Sequence, residues 1–314
     1  MPTTPPSTDY RLDFDPLLME EAVMLSMPGH SQEAEFRQAR DAIYSLEDPE
    51  KKDAQFNQHH RLWFMRLDLG QQILKALQEQ PALMQNTRGC HVAYVPIKKA
   101  EGADLHGSFP ATIVLKLRPT CLLVDFSLSG FLRHEFMHLT DILDPCFAYE
   151  SELPKSEIGP THDNLLHERY RVLWDAWIDG RLLDRGWTTE KVVHDRLLEF
   201  QTSFPMLGDR CEAIFSTWSK SPLHTHNDIL SFALEPESAT PDRPAEPSRI
   251  GRCPLCRFPS FDLHYGQDLP AKAVSAIKED FPDWIPEQGA CPQCNDLYQA
   301  RQMSRAALAQ LPTA

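Results

Sequence analysis

Residues 129–143 read SGFLRHEFMHLTDIL, and this stretch predicts one helix with two histidines on the same face. Residues four apart on a helix lie side by side, so the imidazoles of His134 and His138 can bind one metal ion. Glu135 directly follows the first histidine, where its carboxylate can take a proton from a water molecule at the metal. The stretch therefore predicts a catalytic zinc site with His134 and His138 as ligands and Glu135 as the general base.

The region before this helix has the composition of a small β-sheet. Three short runs between residues 90 and 126 are rich in Val, Ile and Leu and are bounded by Gly, Pro or Asp, which is typical of strands. Helical patterns occupy most of the remaining chain. We therefore predict an α+β fold, mostly helical, with a small sheet before the helix of residues 129–143. The predicted strands are residues 91–95, 111–115 and 121–126.

Several helices begin at recognisable capping residues. Asp15 and Asp48 each precede a proline, the preferred residue at the first helical position, and Ser31 precedes a run of good helix formers. The helix predicted to begin at Asp48 extends to Gln80, although Gly70 within it disfavours a continuous helix. The first eight residues are predicted to be a disordered tail. Further helices are predicted at residues 163–185, 189–202 and 208–219.

A hydrolytic zinc site normally has three protein ligands and a water, so the two histidines need a third ligand. Asp144 lies six residues after His138, where metzincin-type sites have theirs. That arrangement requires a glycine three residues after the second histidine, and here this residue is Asp141. The spacing instead favours Asp141 as a side chain that orients an imidazole.

A second pair of carboxylates lies on the predicted helix 163–185. Asp175 and Asp179 are four residues apart and share one face of a segment rich in Leu and Trp. Burying two acids there is costly unless a positive group lies opposite, and zinc with its histidines would satisfy this requirement. The alternative is that both acids pair with Arg171 and Arg181 on a solvent-exposed face.

Residues 134–138 form an HExxH motif. This motif, together with the later pair Asp175 and Asp179, resembles the gluzincin-type zinc peptidases. In that family an acidic ligand on a later helix is followed, four residues on, by an Asp that orients a metal-bound histidine. The resemblance implies that Asp175 is the third zinc ligand and that Asp179 supports a ligand histidine. The chain has Asp where the family usually has Glu. The resemblance also implies a zincin-like metallopeptidase domain over residues 9–234.

His167 offers an alternative third ligand. Together with Tyr170 it is similar to the downstream histidine and aromatic residue of SprT-like proteases, which often carry a C-terminal zinc ribbon. This chain has Glu168 where that family usually has a glycine after the histidine. The resemblance implies a protease that acts on nucleic-acid-associated proteins.

Two further parts of the predicted site remain open. Stabilising a developing oxyanion requires a donor, and Tyr149, Tyr170, His162 and His167 are all candidates. The strand at residues 111–117 is predicted to be the sheet edge along which an extended peptide would pair through its main chain.

The end of the chain contains two matching cysteine pairs, Cys253-Pro254-Leu255-Cys256 and Cys291-Pro292-Gln293-Cys294. Each pair places two thiolates on one tight turn, and two such turns complete a closed tetrahedral zinc site. The proline-rich residues 235–249 predict a linker before this module. The module, residues 250–314, resembles a zinc ribbon, and its balanced charge favours a protein partner over DNA.

Composition restricts the function further. The formal net charge of −14 argues against a nucleic-acid binder. No long apolar run or secretion signal is present, and paired cysteines without a signal indicate a reducing compartment. The sequence therefore predicts a soluble, cytoplasmic zinc metallopeptidase with one catalytic and one structural zinc and a peptide or protein substrate. The alternative from another class is a non-catalytic scaffold stabilised by zinc.

Overall fold

The computed structural model describes residues 10–123, 125–155, 159–236, 251–260 and 262–309. The chain divides into two units, Met1–Phe147 and Ala148–Ala314. The predicted tail at residues 1–8 and all but the first two residues of the predicted linker at 235–249 lie outside the described residues. The predicted domain limits therefore stay predictions.

The first unit contains a four-stranded sheet in the order β1-β2-β4-β3. Strands β1, β2 and β4 are parallel, whereas β3 runs antiparallel to β4. Side chains of β4 alternate between buried and half-buried positions, so one face of the strand packs into the core. The strands are β1 (Arg11–Phe14), β2 (Thr87–Tyr94), β3 (Gly102–His106) and β4 (Ala111–Leu117).

The predicted strand at residues 121–126 is wrong. Pro119–Leu123 forms a short 3-10 helix, and the next helix begins at Asp125. A short apolar run is compatible both with a strand and with a buried helical turn, and here Leu122 is buried as part of such a turn. Strands β1 and β3 were not predicted, because both are short and contain charged residues.

Helices cover this sheet and contribute the rest of the first core. The predicted long stretch 48–80 is divided before Gly70, where Asp68 has a positive φ of 52°. Buried side chains from β2, β4 and the HExxH helix form one cluster, which includes Val92, Ile113 and Phe136. The helices are α1 (Pro16–Ser26), α2 (Glu33–Tyr44), α3 (Pro49–Arg66), α4 (Gln71–Gln78), α5 (Pro81–Asn86) and α6 (Asp125–Leu143).

The second unit is built around a long, largely buried helix, α7 (Pro160–Asp184). The cysteine module packs on the N-terminal half of α7, where Leu165 belongs to the module's core and Thr161 Oγ1 lies 2.6 Å from Tyr298 Oη. The remaining elements are α8 (Glu190–Ser203), α9 (Cys211–Ser219), α10 (His226–Leu234), β5 (Gly251–Arg252), β6 (Pro259–Ser260), α11 (Ala271–Asp280) and α12 (Pro292–Ala309).

The fold class is confirmed at the level of a mostly helical α+β chain with a small sheet before α6. Within the described ranges, no helix has both the length and the apolar character that crossing a membrane requires.

Two glycines in helices provide a matched test of the packing around α7. A Cβ at Gly180 would lie 2.0 Å from the carbonyl oxygen of Ser219 in α9, whereas one at Gly130 in α6 meets nothing within 4 Å. We expect Gly180→Ala to destabilise the protein by about 1–3 kcal/mol, because the Ser219 backbone would have to move to make room for the methyl group. Gly130→Ala should be neutral or stabilising by up to about 1 kcal/mol. Scanning calorimetry of both variants measures the two shifts in Tm, and equal shifts would contradict the close approach of α7 and α9.

Candidate metal centres

Helix α6 is held in the first unit by polar contacts on its flank. The Arg133 guanidinium donates to both carboxylate oxygens of Glu79, at 2.7 and 2.6 Å. These hydrogen bonds raise the pKa of Arg133. Gln80, which is buried, donates to the Arg133 carbonyl and accepts from Thr140 Oγ1 at 2.8 Å. The turn between α4 and α5 therefore fixes the rotation of α6 about its own axis.

This rotation places both motif histidines on one side of α6. The ring centroids of His134 and His138 are 5.0 Å apart, and one ring nitrogen of each lies within 4.8 Å of the other. That spacing is compatible with two ligands of a single metal ion. The pairing of His134 and His138 predicted from the spacing of the motif is thus present in the described structure.

Glu135 contacts the edge of the sheet. Its Oε2 accepts a hydrogen bond from the Ala103 backbone N–H at 2.9 Å, and its Oε1 lies 3.9 Å from His134 Nδ1. Ala103 belongs to β3, which pairs with β4 alone among the described strands. The carboxylate therefore lies between His134 and a strand that has an outer edge.

The prediction that residues 111–117 form this edge is wrong. Strand β4 pairs with β2 on one side and with β3 on the other, so it is central. The order of strands depends on how the chain crosses over between them, and the composition of a single strand does not reveal that order. The strand beside the motif of residues 134–138 is β3.

Asp175 and Asp179 are buried in the second unit and are ion-paired there. Arg196 of α8 donates to Asp175 Oδ2 at 2.9 Å and to Asp179 Oδ2 at 2.8 Å. Arg171 donates to the same oxygen of Asp175 at 2.7 Å. Burial lowers the pKa of Arg196, but the charges of the two aspartates outweigh it and leave that pKa raised. These arginines supply the positive charge that burial of the two acids requires.

The pairing differs in one respect from the alternative drawn from the sequence, because both acids are buried rather than exposed. Arg171 takes part as expected, and the Arg181 guanidinium carbon lies 3.6 Å from the centre of the Trp177 ring. Arg196 was missed because it belongs to another helix. The other predicted ligand, His167, lies on the exposed side of α7. The third zinc ligand stays a prediction.

Three of the four oxyanion candidates lie in two different surroundings within the second unit. Tyr170 Oη is 2.7 Å from His226 Nδ1, and the Tyr149 ring lies 5.9 Å from the His226 ring. The His162 ring instead stacks on Phe258 at 4.7 Å. Burial lowers the pKa of His226, so its ring is neutral at pH 7 and can both donate and accept.

The four cysteines of the module converge on one point. Cys253 Sγ lies 3.8 Å from Cys294 Sγ, Cys256 Sγ lies 3.8 Å from Cys291 Sγ, and all four sulfurs lie within 4.8 Å of one another. A tetrahedron with Zn–S bonds of about 2.3 Å has sulfurs about 3.8 Å apart. A disulfide would need about 2.05 Å. The four thiols thus have the spacing of a tetrahedral zinc site.

The two cysteine pairs reach this geometry in different ways. The first lies in the β5–β6 hairpin, where Arg257 adopts a positive φ of 61° and its N–H donates to the Cys253 carbonyl at 2.8 Å. The second lies at the start of α12, where the Cys294 N–H donates to Cys291 Sγ at 3.4 Å. The predicted matching pairs therefore have unlike backbones, because a helix start also directs its N–H groups to thiolates.

The four thiols of the cluster affect one another's protonation. Hydrogen bonds among the thiols lower the pKa of Cys253, and together with burial they raise the pKa of Cys256 and Cys294. A divalent ion bound to such thiols would remove their protons outright. The donor set and its spacing fit structural zinc. Cys90, Cys121, Cys146 and Cys211 lie outside the cluster.

The chain was compared with protein-family models, with curated proteins and with solved structures, and none of the three comparisons found a match. The assignment of function therefore depends on the two centres themselves.

Removing one cysteine of the cluster tests its metal. We expect Cys256→Ala to lose one zinc ion per chain and about 4 kcal/mol or more of stability, because the closed site also supports the packing of the module. Elemental analysis and thermal unfolding measure both effects. Cys211→Ala is the matched control, since Cys211 is buried in the same unit but outside the cluster. An unchanged zinc content in Cys256→Ala would contradict the assignment.

Proposed function

We propose that the chain is a zinc-dependent peptidase in which His134 and His138 bind the catalytic zinc and Glu135 is the general base. The observation that carries this proposal is the hydrogen bond from the Ala103 N–H of β3 to Glu135 Oε2. It joins the HExxH helix to an edge strand, which is the backbone geometry that an extended peptide can use. The acid between the two histidines is thus held beside a peptide-binding edge.

Asp175 is the proposed third ligand, on the resemblance to gluzincin-type peptidases. Arg171 and Arg196 hold its carboxylate in position, and Asp179 shares Arg196. His167 is the alternative ligand, on the resemblance to SprT-like proteases. The two assignments differ in the desolvation cost of binding zinc, because Asp175 is already buried whereas His167 is exposed.

The proposed reaction is peptide-bond hydrolysis. Zinc supplies a Lewis acid that polarises the scissile carbonyl and acidifies water. Glu135 takes a proton from the attacking water, whose oxygen forms a bond to the carbonyl carbon. The same carboxyl then gives the proton to the leaving nitrogen as the C–N bond breaks, which yields a carboxylate and an amine.

Strand β3 also suggests how a substrate is aligned. In an antiparallel pair the N–H and C=O of alternate residues point to the same side, so Leu105 faces the outer edge as Ala103 does. A peptide extended along β3 would pair with the Ala103 carbonyl and with Leu105, while Glu135 occupies the Ala103 N–H. Substrates should therefore be unfolded or loop segments, because folded strands have their main chain already paired.

Glu135→Gln tests the general base. Glutamine keeps an oxygen that can accept from Ala103 but cannot take a proton, so activity should fall at least about 100-fold while zinc content is unchanged. His134→Ala should lose both activity and the catalytic zinc, with the cysteine site still loaded. The measurements are cleavage of labelled casein by the zinc-loaded full chain and zinc per chain. If wild type and Glu135→Gln cleave equally, the general base is assigned wrongly.

The alternative function is a non-catalytic scaffold stabilised by zinc. It would be favoured if the wild type cleaves nothing while His134→Ala still loses zinc. The motif would then be a second structural zinc site. Loss of cleavage in Glu135→Gln with full metal content is the result that only an enzyme gives.

The third ligand has its own test. Asp175→Asn removes the charge but keeps the side-chain size, and it should lower zinc occupancy at the motif by about 10-fold or more at limiting zinc. His167→Ala should leave occupancy unchanged. The reverse result would favour the SprT-like arrangement. Because Asn also weakens the pairing with Arg196, thermal unfolding of Asp175→Asn has to be compared with that of Asp179→Asn.

A further inference from the structure

Arg169 is the most deeply buried charged residue of the described chain. Its side chain is only 1% exposed, on the face of α7 that meets the cysteine module. An arginine is almost never fully buried without a charged partner, because its guanidinium loses the hydration that stabilises it. The position of Arg169 therefore requires a source of negative charge.

The hydrogen bonds of Arg169 do not supply that charge. Its Nε donates to the Ser203 carbonyl at 3.3 Å, and its Nη2 donates to the Gln293 amide oxygen at 3.3 Å. Its Nη1 has no hydrogen-bond partner among the described residues. Both acceptors are neutral, and the adjacent acid, Glu168, is paired with Arg171 instead.

The groups near Arg169 that zinc binding would convert to thiolates are the cysteines of the cluster. Burial lowers the pKa of Arg169 to about 10, while the charges of Cys256, Cys291 and Cys294 oppose that shift. The guanidinium is therefore charged at neutral pH. A zinc ion with four thiolates carries a net charge of about −2, so the loaded cluster needs a cation nearby.

Both cysteine pairs contribute a residue to the surroundings of Arg169. Phe258, two residues after Cys256, places its ring 3.9 Å from the guanidinium carbon. Gln293 lies between Cys291 and Cys294. On the other side, Phe204 lies 5.6 Å away. Residues next to both cysteine pairs thus contact this one side chain of α7.

We propose that Arg169 is the counter-cation of the zinc–tetrathiolate cluster, and that it makes metal loading of the module and packing of α7 depend on each other. With zinc bound, the thiolates offset the cost of the buried guanidinium. Without zinc the cluster no longer holds this fixed counter-charge, while the guanidinium stays buried. A charged partner removed from a buried pair is strongly destabilising. Loss of zinc therefore destabilises α7 as well as the module.

The first experiment measures zinc release from the full chain to a chromogenic chelator. We expect Arg169→Met, which keeps the length but not the charge, to release zinc about 10- to 100-fold faster, as is typical when groups that support metal ligands are removed. Arg169→Lys keeps the charge and should restore the rate to within a few-fold of the wild type. Arg301→Met is the matched control, because Arg301 of the same module pairs with Asp280.

A wild-type release rate in Arg169→Met would overturn the proposal, and so would an Arg169→Lys variant as fast as Arg169→Met. If Arg169→Met does not fold, Arg169→Gln replaces it, since its amide can still donate to the Ser203 carbonyl.

A second readout distinguishes charge from packing. Zinc should raise the Tm of the wild type by more than that of Arg169→Met, because only the wild type has a buried charge to compensate. In the cobalt-loaded protein, the thiolate-to-cobalt absorption should move to longer wavelength in Arg169→Met, since thiolates without a neighbouring cation are more easily oxidised. Equal zinc-dependent gains in Tm and an unshifted absorption would assign Arg169 a packing role only.

Discussion

The compensation of buried charge on α7 is the constraint on which the second unit depends. Arg169, Asp175 and Asp179 are all buried on this one helix. Each requires a partner of opposite charge, since desolvation of an unpaired ion costs several kcal/mol. Helix α8 provides Arg196 for the two acids. The zinc-loaded cysteine cluster is the counter-charge that we propose for Arg169. The arrangement of these elements around α7 therefore follows from electrostatics as much as from the apolar core.

In the first unit the corresponding element is α6. Its apolar side chains, among them Leu132 and Phe136, belong to the core beneath the sheet. Its polar side carries the HExxH motif. The two hydrogen bonds from Arg133 to Glu79 set the direction in which that side faces. The hydrogen bond from Ala103 then holds Glu135 at the edge strand. The apolar packing of α6 and its candidate metal-binding residues thus lie on two sides of one helix.

The sequence predicted some features well because they are local. The pairing of His134 with His138 depends only on the helical repeat, and the start of α1 after Asp15 depends on a cap and a proline. The run at residues 121–126 was predicted wrongly, because burial in a helical turn and burial in a strand require the same apolar residues. The edge strand was misplaced because strand order arises from crossovers.

Local spacing by itself determined the HExxH face of α6, the two cysteine pairs and an α+β chain rich in helices. The tertiary structure alone decided the partners of the buried charges. Arg196 is 17 residues from Asp179, and Cys256 and Cys291 are separated by 35 residues yet have sulfurs 3.8 Å apart. Such partners are chosen by which helices pack together and by the cost of leaving an ion without its counter-charge. Neither depends on the neighbouring residues in the sequence, and so neither can be predicted from a local pattern.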